Sequence, residues 1–310
     1  MERAYLSGVP VSRIILGCGN FGGIGSSPAF FGQGETREQA FAIMDAAWAA
    51  GITTFDTADA YGGGRSETAV GEWIASRQPD RLVLTTKTFN PMAEGEDHGL
   101  APARIRRQLE SSLRRLRVER VDLYLCHDWD HDVPVAETAG ALDELVAAGK
   151  IGAYGLSNVE GAQLREAVAA GSFGWVQNSY SLLDRAVEAE VLPLCCEHGL
   201  GFTPFSPLAG GWLTGKYRRG AQPPAGSRMT MRPEPYEHLR RDEVYDALEE
   251  LERQGDPATL AFAWLLAQPE VTAVVVGPRR PEHLAPALAA LETEIEAAAV
   301  GMLFPVPRSQ

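Results

Sequence analysis

The chain has 310 residues, 45% of them hydrophobic, and carries 41 acidic against 28 basic residues for a formal net charge of −13. That length and apolar content suit one large core, and an acidic balance spread along the chain excludes nucleic acid and anionic membranes as partners, since both need a basic face. No run of about 18 apolar residues marks a membrane helix, and Pro10 and polar neighbours interrupt the first 15 residues where a signal peptide needs continuous apolar sequence.

In chain order the pattern opens with a short β-hairpin from Leu6 to Val11 that turns at Gly8. Apolar, β-branched strands are predicted at 14–19, 52–56, 82–87, 121–127, 151–157, 175–178, 201–205 and 273–277. Amphipathic helices run between them. The segment 37–50 carries Phe41, Met44, Ala47 and Trp48 on one face, and 102–116 carries Ile105, Leu109, Leu113 and Leu116. Segment 134–148 turns Leu142 and Leu145 inward, and 257–267 opens on Pro257, a residue suited to a helix start. Eight strands apolar on both faces, alternating with helices, describe a parallel sheet covered by helices: a closed (β/α)8 TIM barrel or an open doubly wound sheet. Three long connections, 21–35, 90–100 and 208–237, each leave a strand and enter a helix, so a barrel gathers them at one end. No Pro/Ser-rich linker divides the chain, which reads as a single domain over residues 1–310. Cys18, Cys126, Cys195 and Cys196 follow no disulfide spacing and form no CxxC. They read as buried free thiols in a reducing compartment, and a cytoplasmic location is expected.

The polar residues fall at strand ends. The second strand ends in Asp56, with Tyr61 just beyond; the third ends in Lys87, the fourth in His127 and the fifth in Ser157 and Asn158. The sixth carries Gln177 and Asn178, and the seventh leads into Ser206. In a closed parallel barrel these ends meet at one mouth. A buried Asp or Lys costs several kcal/mol unless paired, and Asp56 and Lys87 on neighbouring strands can pair. The set suits carbonyl reduction. Hydride delivered to a carbonyl carbon leaves an alkoxide that needs a proton, and a tyrosine holds its proton at neutral pH. A nearby ammonium favours the phenolate, so Lys87 is expected to lower the Tyr61 pKa, with Asp56 orienting Lys87 and His127 hydrogen-bonding the substrate oxygen. Singly, each has a plain structural reading: a rim tyrosine, a core histidine, a structural ion pair. At successive strand ends they point together to chemistry.

Residues 51–71, GITTFDTADAYGGGRSETAVG, closely resemble the signature of the aldo-keto reductases. Blocks at 82–87 (LVLTTK), 121–127 (VDLYLCH), 151–158 (IGAYGLSN), 176–185 (VQNSYSLLDR) and 205–217 (FSPLAGGWLTGKY) are similar to the same family, in order, from about Leu6 to Leu291. The resemblance implies a (β/α)8 barrel with NAD(P)H extended across its mouth and a catalytic tetrad of Asp56, Tyr61, Lys87 and His127, with Tyr61 as general acid. It implies that Ser157, Asn158 and Gln177 hold the nicotinamide carboxamide, that Phe205 lies against the nicotinamide face, and that Gly19 and Asn20 lie near its ribose. Ser206, Leu208 and Gly210 would line the pyrophosphate through backbone N–H groups, with Lys216 and Arg228 adding positive charge. The adenosine end departs from the family. After Gly277 the chain reads PRRPEHLAPA, with His283 in place of Gln and Pro286 and Ala287 in place of Glu-Asn. Arg279, beside a helix start, suits a 2′-phosphate, so NADPH is expected, with NADH the other option, and a small-molecule carbonyl as substrate.

Two motifs compete. Gly17, Gly19 and Gly22 spell GxGxxG, but a dinucleotide fold needs a helix at that turn and an acid about 20 residues later. Here a glycine- and serine-rich loop runs to Glu35 instead. The run from His127 to Asp132 looks like a metal box, yet Lys87 on the neighbouring strand repels a cation, and no metal is expected. Two other functions share this fold: a cofactor-binding sensor or regulatory subunit, which need not keep the tetrad, and a metal-dependent barrel hydrolase. The loop aromatics Phe21, Phe30, Phe31, Trp129 and Trp212 either wall a pocket for an apolar or ring substrate or pack loops against the rim.

Overall fold

The computed structural model of the protein describes residues 3–304. The chain enters through an antiparallel hairpin, β1 (Arg3–Leu6) and β2 (Val9–Ser12), joined by Ser7 and Gly8 at φ 49° and 79°. Two left-handed residues make the tight turn that matches strand twist. The hairpin's apolar side is not idle. Leu6 and Val11 are buried with Ile15, Val83, Leu123, Leu125, Trp175, Ala273 and Val275, in a cluster inside the barrel. Leu6 packs on Gly201 and Ser7 on Gly174, at the N-terminal ends of strands, so the hairpin plugs the end opposite the mouth.

Eight parallel strands follow: β3 (Ile14–Gly17), β4 (Thr54–Asp56), β5 (Val83–Thr88), β6 (Val121–Cys126), β7 (Ile151–Ser157), β8 (Trp175–Gln177), β9 (Gly201–Phe202) and β10 (Val274–Val276). Their order is β10-β3-β4-β5-β6-β7-β8-β9. The two edges also meet, through Thr272 N to Phe202 O at 2.8 Å and Val275 N to Pro204 O at 3.0 Å, which decides for the closed (β/α)8 barrel. Several strands are shorter than the sequence pattern predicts. Beyond Gly17 the ladder continues through Cys18 N to Asp56 O at 2.8 Å, and beyond Phe202 through Thr203 N to Val176 O at 2.9 Å and Phe205 N to Asn178 O at 3.0 Å, as the chain turns into the mouth loops.

The helices are α1 (Arg37–Ala49), α2 (Arg65–Arg77), α3 (Pro102–Leu116), α4 (Val135–Ala147), α5 (Gly161–Ala170), α6 (Val191–His198), α7 (Arg228–Met231), α8 (Asp242–Gln254), α9 (Pro257–Leu266), α10 (Ala285–Ala290) and α11 (Ala297–Met302). Helix α1 begins at a capping box: Thr36 Oγ1 accepts from Gln39 N at 3.3 Å and Gln39 Oε1 accepts from Thr36 N at 2.8 Å. Its buried face is Ala40, Ile43, Met44 and Ala47. Phe41 and Trp48 stand at the edge instead, because the Arg37 guanidinium covers the Phe41 ring at 4.3 Å and Trp48 meets the edge of Trp73. Among the cysteines Cys18, Cys126 and Cys195 are buried and Cys196 is exposed. All four are free, and the expectation of four buried thiols fails at Cys196 because adjacent positions on a helix point about 100° apart. Among the described residues no helix is long and apolar enough to cross a membrane.

Candidate active site

The C-terminal strand ends deliver the polar residues to one place. Asp56 ends β4, Lys87 lies on β5, His127 follows β6, Ser157 ends β7 with Asn158 next, and Gln177 ends β8. Tyr61 arrives differently. It opens a 3-10 turn in which Gly62, Gly63 and Gly64 have φ of 59°, 65° and 87°. A Cβ on Gly62 would lie 2.8 Å from the Gly22 backbone, so both conformation and space require glycine there.

The Lys87 side chain is wholly buried and its ammonium is fully engaged. It pairs with Asp56 Oδ1 and donates to Thr57 O at 3.1 Å and to the Tyr61 hydroxyl at 3.3 Å. Asp56 Oδ2 accepts from Gln177 Nε2 at 3.0 Å. On its other side the Tyr61 hydroxyl lies 3.3 Å from His127 Nε2, with the two rings edge to face. Asn158 Nδ2 donates to the His127 carbonyl at 2.8 Å and so ties the two strand ends together. Gly19 flanks the Tyr61 ring, where a Cβ would sit 3.5 Å from Cε2.

Burial opposes the charge on Lys87, but Asp56 and Tyr61 outweigh it and the amine's pKa ends above its ordinary value. The Tyr61 pKa is also raised: burial pushes it up, and the pull of Lys87 is the smaller effect, partly undone by Asp56. Lys87 does pull the pKa down as expected, but the net shift is upward. Desolvation of a phenolate exceeds the attraction of an ammonium already paired with a carboxylate. Burial and then Lys87 hold His127 well below 6.5, so its ring is neutral. Among the described residues His127 Nδ1 is buried without a hydrogen-bond partner, so the single N–H belongs on Nε2, the atom facing Tyr61.

A second polar layer lies behind the first and was not foreseen from sequence. Asp59, fully buried, accepts from Ala60 N at 2.6 Å and Thr88 Oγ1 at 2.7 Å. Burial, with the Glu67 carboxylate nearby, pushes its pKa up to about 7. Glu67 is held by Thr86 Oγ1 at 2.5 Å and Arg115 Nε at 2.7 Å, and Ser66 links Thr57 to Cys18 O. Asp59, Ser66 and Glu67 fall in the 51–71 signature, and their polarity in a buried stretch was the available signal.

The mouth holds a cavity of about 550 Å³ lined by Tyr61, His127, Ser157, Asn158, Gln177, Phe205 and Ser206, with Ser26, Ser27, Asn90 and Arg232 from the three long loops. Those loops do gather at one end. The loop aromatics do not wall the cavity: Phe21 and Trp212 are core residues, Trp129 packs half-buried against the core, Phe30 lies under the Arg232 guanidinium, and Phe31 packs on Gly63. A more open depression of about 440 Å³ between α9 and α11 contains none of this chemistry.

The remaining candidate residues form a cationic cluster. Arg228 Nη2 donates to Asn20 Oδ1 at 2.6 Å, and Gly277 faces the same Asn20 amide. Arg279 Nε donates to Glu35 Oε1 at 2.7 Å, its Nη1 to Gly226 O at 2.8 Å, and its backbone N–H to His283 Nδ1 at 3.3 Å. The Lys216 ammonium rests on Gly211, and burial together with Arg228 and Arg279 lowers its pKa. Leu208 precedes a 3-10 stretch, Ala209–Thr214, in which Gly210 (φ 64°) packs under the Tyr236 ring. In the 127–132 segment Asp130 caps Leu100 N at 2.6 Å and Asp132 N at 2.9 Å, so this carboxylate braces two loops.

The aldo/keto reductase family model matches residues 13–303. The chain is 37% identical to the uncharacterized oxidoreductase YrpG of Bacillus subtilis, covering 99% of this chain and 97% of that protein. It is 32% identical to the NADH-specific methylglyoxal reductase of Escherichia coli (95% of each) and 34% identical to a probable voltage-gated potassium channel subunit beta of rice (84% of each). Among solved structures, a glycerol dehydrogenase of Gluconobacter oxydans superimposes with a TM-score of 0.84 at 27% identity, over 99% of this chain and 98% of that one. The protein belongs to the aldo-keto reductase family.

Proposed function

We propose that the protein, acting as a single cytoplasmic domain, reduces an aldehyde, ketone or sugar carbonyl to the alcohol with a nicotinamide cofactor, and that Tyr61 supplies the proton. One observation carries this: the Tyr61 hydroxyl lies 3.3 Å from the Lys87 ammonium and 3.3 Å from His127 Nε2, at a cavity of about 550 Å³. The residues present fit the cofactor. Ser157, Asn158 and Gln177 give amide and hydroxyl partners in the mouth beside Phe205, and Lys216, Arg228 and Arg279 give the positive charge a dinucleotide's phosphates need. Gly19, Asn20, Ser206, Leu208, Gly210, Gly277 and His283 are the further residues assigned to the cofactor in this reading. When bound, the nicotinamide supplies a hydride to the carbonyl carbon.

The protein's part is to place the carbonyl oxygen and to move one proton. His127 Nε2–H and the Tyr61 hydroxyl donate to that oxygen. As negative charge develops there, the Tyr61 proton transfers to it, and Lys87 stabilises the phenolate left behind. Asp56 keeps the ammonium in place, and Gln177 keeps Asp56 in place. The raised Tyr61 pKa keeps the donor loaded at neutral pH. Arg279 was the ground for NADPH; with its guanidinium paired to Glu35, NADH stands level with it.

A regulatory subunit of the same fold is the second reading, favoured by the similarity to a channel subunit and opposed by the complete Asp56, Lys87, Tyr61 and His127 array. Oxidation of NADH and NADPH, followed across a panel of aldehydes, ketones, quinones and keto-sugars, separates them. Turnover of a carbonyl is the expected result; nucleotide binding without turnover on any member would favour the regulatory role.

A further inference from the structure

Glu35 places a buried carboxylate within the cationic cluster. It closes the loop 21–35 beside the first barrel strand, where its N–H donates to Asn20 O at 2.8 Å and its carbonyl accepts from Gly22 N at 3.0 Å. Its side chain is 3% exposed. Oε1 accepts from Arg279 Nε at 2.7 Å, while Oε2 is buried and has no hydrogen-bond partner among the described residues. Burial drives its pKa up and Arg279 pulls it down. An unpaired buried acceptor is costly, and a donor that reached it would recover that cost.

The charges around it can be counted. Lys216, Arg228, Arg279 and the neighbouring Arg232 contribute four positive charges and Glu35 one negative, leaving a formal +3. A dinucleotide's diphosphate carries two negative charges and is matched. A 2′-phosphate adds about −1.5 to −2 more, which exceeds the single positive charge left over. Arg279 already spends its Nε and Nη1 on Glu35 and Gly226 O, which leaves Nη2 for such an anion.

We infer that Glu35 biases the protein toward NADH, by occupying Arg279, by repelling a 2′-phosphate, and by offering Oε2 to a ribose hydroxyl. This rests on the reading of the site as a nicotinamide-dinucleotide groove. A hydroxyl is a donor and satisfies the orphaned oxygen, whereas a phosphate is an acceptor and meets like charge in a poorly solvated place. In the sequence Arg279 by itself points to NADPH; its pairing with Glu35 across the fold reverses that preference.

The test is calorimetric titration of the full chain with NADH and with NADPH, for the wild type and for Glu35→Gln, which keeps an acceptor for Arg279 but removes the charge. The wild type is expected to bind NADH at least as tightly as NADPH. Glu35→Gln is expected to tighten NADPH about tenfold while NADH changes less than about threefold. A wild type that binds NADPH about tenfold more tightly than NADH overturns the inference without any variant. So does a Glu35→Gln protein that melts like the wild type and keeps the wild-type ratio. If neither nucleotide binds, the groove itself is misread and the role of Glu35 falls with it.

Discussion

Replacing Lys87 by methionine removes one charge while keeping an unbranched side chain of similar volume. Lys87 Nζ lies 3.3 Å from the Tyr61 hydroxyl. At an effective dielectric of about 20, a unit charge 3.3 Å away is worth roughly 5 kcal/mol to a full negative charge on that oxygen. The transition state carries part of that charge, so kcat should fall about 10³-fold, with nucleotide affinity held. The substitution also strands Asp56, 3% exposed, with Gln177 as its remaining side-chain donor. A buried charge without its partner costs roughly 3–5 kcal/mol, so the variant should melt well below the wild type. Adding Asp56→Asn removes the stranded charge. The double variant should regain most of the stability and none of the rate. Thermal denaturation and steady-state kinetics on one carbonyl substrate read both effects. A single variant with kcat within about tenfold of the wild type, or a double variant that recovers the rate, would refute the role of the ammonium.

His127 is held well below 6.5, so kcat/KM for carbonyl reduction should show no histidine step between about pH 6 and 8 and should decline only in the alkaline range where Tyr61 ionises; an inflection near neutrality would mean that His127 titrates in the working enzyme. Asp59, with a folded pKa of about 7 against an ordinary value of 3.8, keeps a proton in the folded chain that the unfolded chain has lost, so stability drains away as pH rises between those values. Asp59→Asn cannot titrate. Its stability relative to the wild type should climb by up to about 1.4 kcal/mol per pH unit from pH 4 to 7 and then level off, and a flat difference in denaturant melts would contradict the shift. Gly62→Ala forces an L side chain to φ 59° with its Cβ 2.8 Å from the Gly22 backbone. It should cost about 1–3 kcal/mol and reduce kcat by displacing Tyr61, whereas wild-type melting and kinetics would show that the turn relaxes freely.

Much of this architecture can be read before any coordinates exist, for physical reasons. Strands covered by helices on one side and facing the apolar barrel interior on the other need apolar residues throughout, so a polar residue such as Asp56, Lys87 or His127 at a strand end stands out. Helix α3 is legible to the residue because a proline opens it and its apolar stripe runs unbroken to Leu116. What stays hidden depends on distances across the fold. Glu35 and Arg279 are 244 positions apart, and no local pattern pairs them. The direction of the Tyr61 shift turns on how far burial outweighs Lys87, and only the packed structure weighs those two. The loop aromatics mislead for a related reason: Phe21 and Trp212 lie in loop sequence yet are anchored in the core, leaving Ser26, Ser27, Asn90 and Arg232 to face the cavity.

Tyr61→Phe removes a single oxygen and leaves the ring against Gly19 and the Lys87 and Asp56 pair intact. With the carbonyl substrate that turns over best, kcat should drop about 10²- to 10⁴-fold while the dissociation constant for the nicotinamide nucleotide stays within about threefold of the wild type. A phenylalanine enzyme that still binds nucleotide and reduces the carbonyl at close to the native rate would mean that the proton comes from another group.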